Sequence, residues 1–125
     1  MNSGTTNNLN AVWGTSGSDV FLVGDYGTIL HYNGTTWSSM RSGTINTGLH
    51  CVWGSSGSDV FAAGEFGTIL HYNGTAWSSM NSGTESTVYG VWGSSGTDVF
   101  AVGNYGTILH YNGIAWSSMN SGVPL

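Results

Sequence analysis

The chain has 125 residues, the length of one domain, and its 39% of hydrophobic residues is enough for a packed core. Only 6% of the residues are charged, Arg41 is the single cation and the formal net charge is −5, which excludes a nucleic-acid or anionic-membrane partner because these need clustered Lys and Arg. Cys51 is the single cysteine, which excludes an intrachain disulfide and a cysteine-based metal cluster.

The first five residues already belong to a repeat. Residues 1–5 (MNSGT) return as residues 80–84, and residues 119–122 repeat the first four letters. No basic and then apolar leader and no run of about 18 apolar residues occurs, so we expect neither a signal peptide nor a transmembrane helix in this sequence. We expect a unit cut from a longer array or built from whole repeats. Its low charge and many Ser, Thr, Asn and Gly residues favour an extracytoplasmic or secreted parent protein.

A stretch of 29 residues occurs three times, at residues 12–40, 52–80 and 91–119. The first and second copies match the third at 23 and 24 of 29 positions. The first Trp of each copy (Trp13, Trp53, Trp92) gives spacings of 40 and 39 residues. A period near 40 is typical of propeller blades and other repeat architectures, and such near-identity is typical of recent repeat amplification or of design.

Within the first copy, the apolar residues follow the two-residue period of a β-strand. Residues 9–14 alternate, residues 19–24 are apolar on both faces, and residues 28–32 and 37–40 complete a set of four short strands. Residues 15–18 and 25–27 predict turns. Asn33 and Gly34 predict a two-residue type I′ hairpin, because both residues tolerate a positive φ.

Four short antiparallel strands in each repeat predict an all-β fold, a β-propeller of three blades. We expect a single unit, residues 1–125, with blades near residues 9–41, 49–81 and 88–120. Natural rings have about four to eight blades, so a three-bladed arc leaves two apolar faces bare, with residues such as Val20, Phe21, Val99 and Phe100. We therefore predict a homodimer that forms a six-bladed ring, in which blade 3 of one copy packs head to tail on blade 1 of the other. A ring of nine blades is the alternative.

The repeated units resemble the tandem repeats of bacterial β-propellers that read roughly VWG…DV.AVG..GTILH..G..W. In layout they are similar to propellers of the photosystem-assembly-factor and BNR (Asp-box) kind, and the resemblance covers nearly the whole chain. It implies the propeller fold and no single function. The Asp-box motif S-x-D-x-G-x-T-W is not met, since Leu30 stands at its Ser position and Tyr32 at its Asp position.

Histidine, aspartate and serine recur in every copy, as a hydrolase would require, but they recur symmetrically. A catalytic site is normally singular, so we expect no enzyme, and we expect a structural hydrogen-bond set in which Asp19 binds the turn amides of residues 15–18 and His31 bridges strands. Equivalent positions in successive blades lie far apart, so no metal and no cofactor is expected. The repeated residues are Asp19, Asp59, Asp98, His31, His71 and His110.

The tryptophans form two sets. We expect Trp13, Trp53 and Trp92 to pack between blades. The outer set (Trp37, Trp77, Trp116) stands near the predicted hairpin, where partial exposure would allow stacking on sugar rings.

The positions that differ between copies fall on one face of the predicted propeller, where the turns after the second strand and the linkers emerge. A constant scaffold with one variable face is typical of a binding module, and drift in loosely constrained loops explains the same pattern. The candidate ligand-binding residues are Asn10, Asp25, Tyr26, His50, Glu65, Phe66, Tyr89, Asn104 and Tyr105.

These observations predict a non-enzymatic repeat scaffold that assembles with itself and binds a protein or another ligand, or a designed or excised repeat unit with no activity of its own. The alternative is a multivalent carbohydrate-binding lectin, with one pocket per blade formed by the polar group at 25, 65 or 104 and the ring that follows it.

Overall fold

The computed structural model describes residues 1–122; the last three residues of the predicted unit lie outside the described residues. The described chain folds into twelve strands and three short 3-10 turns. The strands of the first blade are β1 (Leu9–Ser16), β2 (Asp19–Gly24), β3 (Ile29–Tyr32) and β4 (Trp37–Met40). Those of the second are β5 (Leu49–Ser56), β6 (Asp59–Gly64), β7 (Ile69–Tyr72) and β8 (Trp77–Met80), and those of the third are β9 (Val88–Ser95), β10 (Asp98–Gly103), β11 (Ile108–Tyr111) and β12 (Trp116–Ser118).

Each repeat forms one four-stranded antiparallel sheet in which the strands follow one another in sequence order. The predicted all-β fold with three four-stranded antiparallel blades is thereby confirmed. The 3-10 turns, Asp25–Gly27, Glu65–Gly67 and Asn104–Gly106, connect the second and third strands of the blades.

The tight turn of each blade lies between the first two strands, at residues 17–18 of the first blade. The predicted type I′ hairpin at Asn33 is wrong, because β3 and β4 are joined by a four-residue loop. The side-chain oxygen of Asn33 accepts hydrogen bonds from the N–H groups of Thr35 and Thr36 at 2.9 and 3.0 Å. Of the two residues of the predicted hairpin turn, Asn33 and Gly34, only Gly34 has a positive φ. An asparagine that binds the backbone two residues ahead replaces the expected backbone turn.

Neighbouring blades stack face to face and share an apolar core. We call the face of a blade that contacts the next blade its forward face, and the opposite face its rear face. In the first seam, Phe21, Val23 and Ile29 of the forward face pack against the rear face of the second blade, which contributes Val52, Val60, Ala62, Leu70 and Trp77. The second seam repeats the arrangement with Phe61, Ala63, Ile69 and Cys51 against Val88, Val99, Ala101, Leu109 and Trp116.

Two apolar faces remain without a covering blade in the described chain. On the rear face of the first blade Val12 is 64% exposed, whereas its equivalent Val52 is buried. On the forward face of the third blade Trp92 is 60% exposed and Val102 is 48% exposed. The arc therefore ends in two unlike faces, each of which has a covered counterpart inside the chain.

The prediction of which residues line these bare faces is half right. Val20 and Phe100 do lie on them and are partly exposed, but Phe21 and Val99 are buried in the internal seams. Adjacent residues of a strand point to opposite faces, so only one of each pair reaches the open side.

Candidate recognition face

Each 3-10 turn presents one aromatic side chain to solvent from an unfavourable backbone conformation. Tyr26, Phe66 and Tyr105 have φ of 59°, 59° and 60°, and they are 66%, 70% and 92% exposed. The left-handed region costs a non-glycine residue roughly 1–2 kcal/mol. The next residue, Gly27, fits because it has no side chain: a Cβ there would lie 2.0 Å from the carbonyl oxygen of Thr44.

The turns and the linkers between blades meet at one end of the sheets. The N–H of the first turn residue donates to a linker carbonyl in every blade, at 3.0 Å each time, in the pairs Asp25–Asn8, Glu65–Gly48 and Asn104–Thr87. The predicted candidate residues on turns and linkers therefore lie at the same end of their blades.

Asn10 and Asp25 contact one another. The side-chain amide of Asn10 donates to Asp25 Oδ1 at 3.0 Å and to the carbonyl oxygen of Leu49 at 2.9 Å, and Asn8 donates to Asp25 Oδ2 at 3.3 Å. Asn10 thus ties the turn of the first blade to the innermost strand of the second.

Asp25 and Glu65 of neighbouring blades flank the same glycine. The N–H of Gly48 donates to Glu65 Oε1 at 2.7 Å, and a Cβ on Gly48 would lie 3.1 Å from Glu65 Oε1 and 3.4 Å from Asp25 Oδ1. Together with Tyr26 and Asn46 these residues line an open crevice of about 220 Å³. The crevice is acidic on two sides and aromatic on a third.

His50 and Tyr89 form a second contact between blades, with ring centroids 5.1 Å apart and an interplanar angle of 31°. Asn104 and Tyr105 lie on the third blade, which no other blade follows in the described chain. The structure thus brings together Asn10, Asp25 and Glu65, and separately His50 and Tyr89.

The repeated histidines and aspartates form one hydrogen-bonded cluster per blade. His31 Nε2 lies 2.6 Å from Asp19 Oδ1, and the hydroxyl of Thr15 donates to Asp19 Oδ2 at 2.5 Å. These bonds, the one to His31 first, lower the pKa of the Asp19 carboxyl. The predicted bridge between strands is present, but the turn amide of Ser18 binds Ser16 Oγ and not Asp19. The other blades repeat the cluster with Ser55, Asp59 and His71, and with Ser94, Asp98 and His110.

The order of groups in these clusters differs from that of a nucleophilic triad. A serine nucleophile needs the imidazole between hydroxyl and carboxylate, whereas here the carboxylate of Asp19 lies between Thr15 and His31. The first two clusters also belong to the seams, since a Cβ on Gly57 of the next blade would lie 2.6 Å from Asp19 Oδ2 and a Cβ on Gly96 would lie 2.1 Å from Asp59 Oδ2. The arrangement therefore suits packing between blades and offers no activated hydroxyl.

Two of the three outer tryptophans are covered, contrary to the expectation of partly exposed rings for sugar stacking, whereas Trp37 of the first blade is partly exposed. Trp77 and Trp116 are buried to 8% exposure, and their indole N–H groups donate to Met40 and Met80 Sδ at 3.5 and 3.4 Å. Each methionine ends the preceding blade. The signal in the sequence was the methionine that closes every 29-residue copy.

The single thiol is structural. Cys51 is buried in the second seam, and burial raises its pKa to about 12. No group of three His, Cys, Asp or Glu side chains placed to hold a metal ion occurs in residues 1–122. Within the same residues, no helix has the length and apolarity needed to span a membrane.

The fold is that of a β-propeller by comparison with known structures. The chain matches no protein-family model and no curated protein. A solved structure of YCF48 bound to D1 peptide is similar, with a TM-score of 0.77 and 18% identity over 94% of this chain and 41% of that chain. YCF48 from Cyanidioschyzon merolae matches with a TM-score of 0.75 and 18% identity over 97% of this chain and 45% of that chain. The present chain thus spans less than half the length of these proteins, and the predicted likeness to photosystem-assembly-factor propellers is confirmed for the fold.

Proposed function

We propose that the protein is a non-enzymatic β-propeller module that closes into a ring with a second copy and presents one face to a protein or another ligand. The observation that carries the recognition face is the exposed aromatic residue in left-handed backbone in every blade. Strain and exposed apolar surface both cost stability, and natural proteins keep such features mainly where they bind.

Ring closure is supported by the contacts that the internal seams make and the open faces lack. In the first seam, the ring of Trp13 lies over Gly54, whose Cβ would be 2.7 Å from Trp13 Cη2, and the second seam repeats this contact. Trp92 of the third blade is exposed, and no tryptophan lies over Gly14 of the first blade. In a ring, Trp92 of one copy would lie over Gly14 of the other.

The aspartate clusters support the same pairing. The side chain of Asp98 is 46% exposed, against 29% for Asp19, which the next blade covers. Gly17, equivalent to the covering Gly57, has open space around it. Two seams of roughly 800 Å² per partner, at about 25 cal/mol per Å² of apolar area, give tens of kcal/mol, which exceeds an association cost of about 4–15 kcal/mol.

Light scattering on a sizing column tests closure. The expected mass is twice the 13.1 kDa of one chain. A monomer at micromolar concentration would exclude the homodimeric ring, and a trimer would favour nine blades.

A peptide ligand is supported by the YCF48 structure that holds a D1 peptide, and the acidic crevice at Asp25 and Glu65 favours a neutral or cationic segment. Selection from a peptide library should yield binders that are lost when Tyr26, Phe66 and Tyr105 are changed to serine together. Ile114→Ser is the matched control, because Ile114 is 88% exposed on the loop between β11 and β12. Binders that survive the triple substitution would exclude this face.

The lectin alternative is favoured by the pairing of a polar group with an exposed ring in each turn: Asp25 with Tyr26, Glu65 with Phe66 and Asn104 with Tyr105. A glycan array separates the two functions. Glycan binding that is lost in Tyr26→Ala favours the lectin, and the absence of both glycan and peptide binders favours a repeat unit without activity of its own.

A further inference from the structure

The first methionine occupies a site that belongs, in the internal seams, to the preceding blade. Trp77 and Trp116 donate their indole N–H groups to the methionine that ends the blade before them. No blade precedes Trp37 within residues 1–122, and its indole N–H donates to Met1 Sδ. Residues 1–4, which we call the N-terminal strap, therefore take the place that the end of the preceding blade has in the internal seams.

The chain carries a second segment suited to the same site. Residues 119–122 have the sequence of the strap, MNSG, and adopt its turn. The side chain of Asn2 accepts the N–H of Gly4 at 2.9 Å, and that of Asn120 accepts the N–H of Gly122 at 2.9 Å. Both glycines have a positive φ, 81° and 76°. The linker before the third blade has this turn as well, at Asn81 and Gly83.

Only one of the two segments can lie on Trp37 in a closed ring. The N–H of Met119 donates to the carbonyl oxygen of Ile108 at 2.8 Å, so Met119 continues the ladder of β12 and arrives in place when the third blade docks. The strap is held by bonds within its own turn, such as Ser3 Oγ to the carbonyl oxygen of Thr5, and by the contact of Met1 with Trp37. Placing the strap on Trp37 costs conformational entropy, whereas Met119 is already ordered by the third blade and does not incur this cost on docking.

We infer that Met119 of a second copy displaces Met1 from Trp37 when the ring closes, and that the strap is released. This inference rests on the ring proposed above. The strap then competes with assembly: in the free chain Met1, itself 93% exposed, holds the indole N–H of Trp37, and in the ring it is exchanged for an identical segment of the neighbour. Each of the two seams requires Trp37 of one copy to be uncovered. The apparent dissociation constant of the dimer is therefore the intrinsic constant divided by the square of the uncovered fraction.

Methyl NMR of the full chain with 13C-labelled methionine tests the exchange directly. The chain has four methionines; substitution of Met40, Met80 and Met119 by leucine, one at a time, assigns three signals and leaves Met1. A methyl group that lies against a tryptophan ring is shifted by the ring current. As concentration rises through the dimer transition, the Met1 signal should move to the position of a free methionine and the Met119 signal should become shifted, while Met40 and Met80 stay shifted throughout as internal controls.

The outcomes separate this inference from the ring itself. A dimer in which Met1 keeps its shift and Met119 does not acquire one would overturn the exchange and leave the ring standing. A chain that stays monomeric at all concentrations would overturn both. As a second measurement, a chain that begins at Thr5, obtained by cleavage of a tag, should dimerise with a dissociation constant lower by roughly five- to tenfold; an unchanged or higher constant would overturn the competition.

Discussion

Val23 and Val102 are the same residue at the same position of two blades, but only one of them is covered. Val23 is 0% exposed in the first seam, and Val102 is 48% exposed on the open forward face of the third blade. Substitution of each by alanine removes two methyl groups, worth about 0.8 kcal/mol each when fully buried, and a buried site adds the cost of a cavity. We expect Val23→Ala to lower the free energy of unfolding of the free chain by about 2–3 kcal/mol and Val102→Ala by about 0.8 kcal/mol.

The two substitutions should exchange their effects in the dimer. Val23 stays in an internal seam, so Val23→Ala should leave the dissociation constant nearly unchanged. Val102 becomes buried in both seams of the ring, and each seam should lose about 1–1.5 kcal/mol. The dimer should therefore lose about 2–3 kcal/mol, which raises its dissociation constant roughly 30- to 150-fold.

Chemical denaturation below the dissociation constant measures the stability of the free chain, and sedimentation equilibrium measures the dimer. The proposed seam is refuted if Val102→Ala dimerises as tightly as the parent chain. It is also refuted if Val102→Ala destabilises the free chain as much as Val23→Ala does, because Val102 would then already be covered.

Three further substitutions or conditions test the internal seams. Gly57→Ala should lower the free energy of unfolding by about 1–3 kcal/mol, because its Cβ would lie 2.6 Å from Asp19 Oδ2, whereas Gly17→Ala should be neutral in the free chain in urea denaturation. Folding lowers the pKa of Asp19 from 3.8, so the ionised carboxylate stabilises the folded chain above pH 3.8, and this contribution is lost as pH falls through the folded pKa. The free energy of unfolding, measured between about pH 5 and pH 2, should therefore fall with pH, and it should fall less steeply in Asp19→Asn. Cys51, with a pKa raised to about 12, should react with a thiol reagent at neutral pH only through unfolding.

Each of these predictions has its own contradicting result. Destabilisation by Gly17→Ala equal to that by Gly57→Ala would mean that the tight turn, and not the neighbouring aspartate, sets the cost. A pH profile that Asp19→Asn leaves unaltered would remove the carboxylate from the acid transition. Labelling of native Cys51 as fast as in the denatured chain would contradict its burial in the second seam.

The period of the repeat and the alternation along each strand were sufficient to predict three four-stranded blades, because both are local properties of the sequence. In the second blade, the two-sided apolar character of the equivalent residues 59–64 follows from the seams on both sides. The loop at Asn33 was predicted wrongly because its conformation depends on a side-chain hydrogen bond, which a two-residue motif does not encode.

The candidate face was harder to predict in detail than in position. Differences among the copies located it at one end of the blades, where turns and linkers do meet. The contact of Asn10 with Asp25 depends on an irregularity in the pairing of β1 with β2 between Leu9 and Ala11, which interrupts the simple alternation of sides. The coverage of Trp77 likewise depends on a methionine of another blade, and such contacts follow only from the packing of whole sheets.

The glycine beneath the inner tryptophan of each internal seam has a consequence for how this architecture can change over time. Gly54 can accept a side chain only if Trp13 moves, so a point mutation there damages a seam that no other single mutation readily repairs. Each repeat of about 40 residues carries both the tryptophan and the glycine of this contact. When a whole repeat is duplicated or lost, every remaining pair of neighbouring blades still meets through a tryptophan and a glycine. Evolution of this chain by gain and loss of entire blades is therefore easier than evolution by gradual redesign of the surfaces between them.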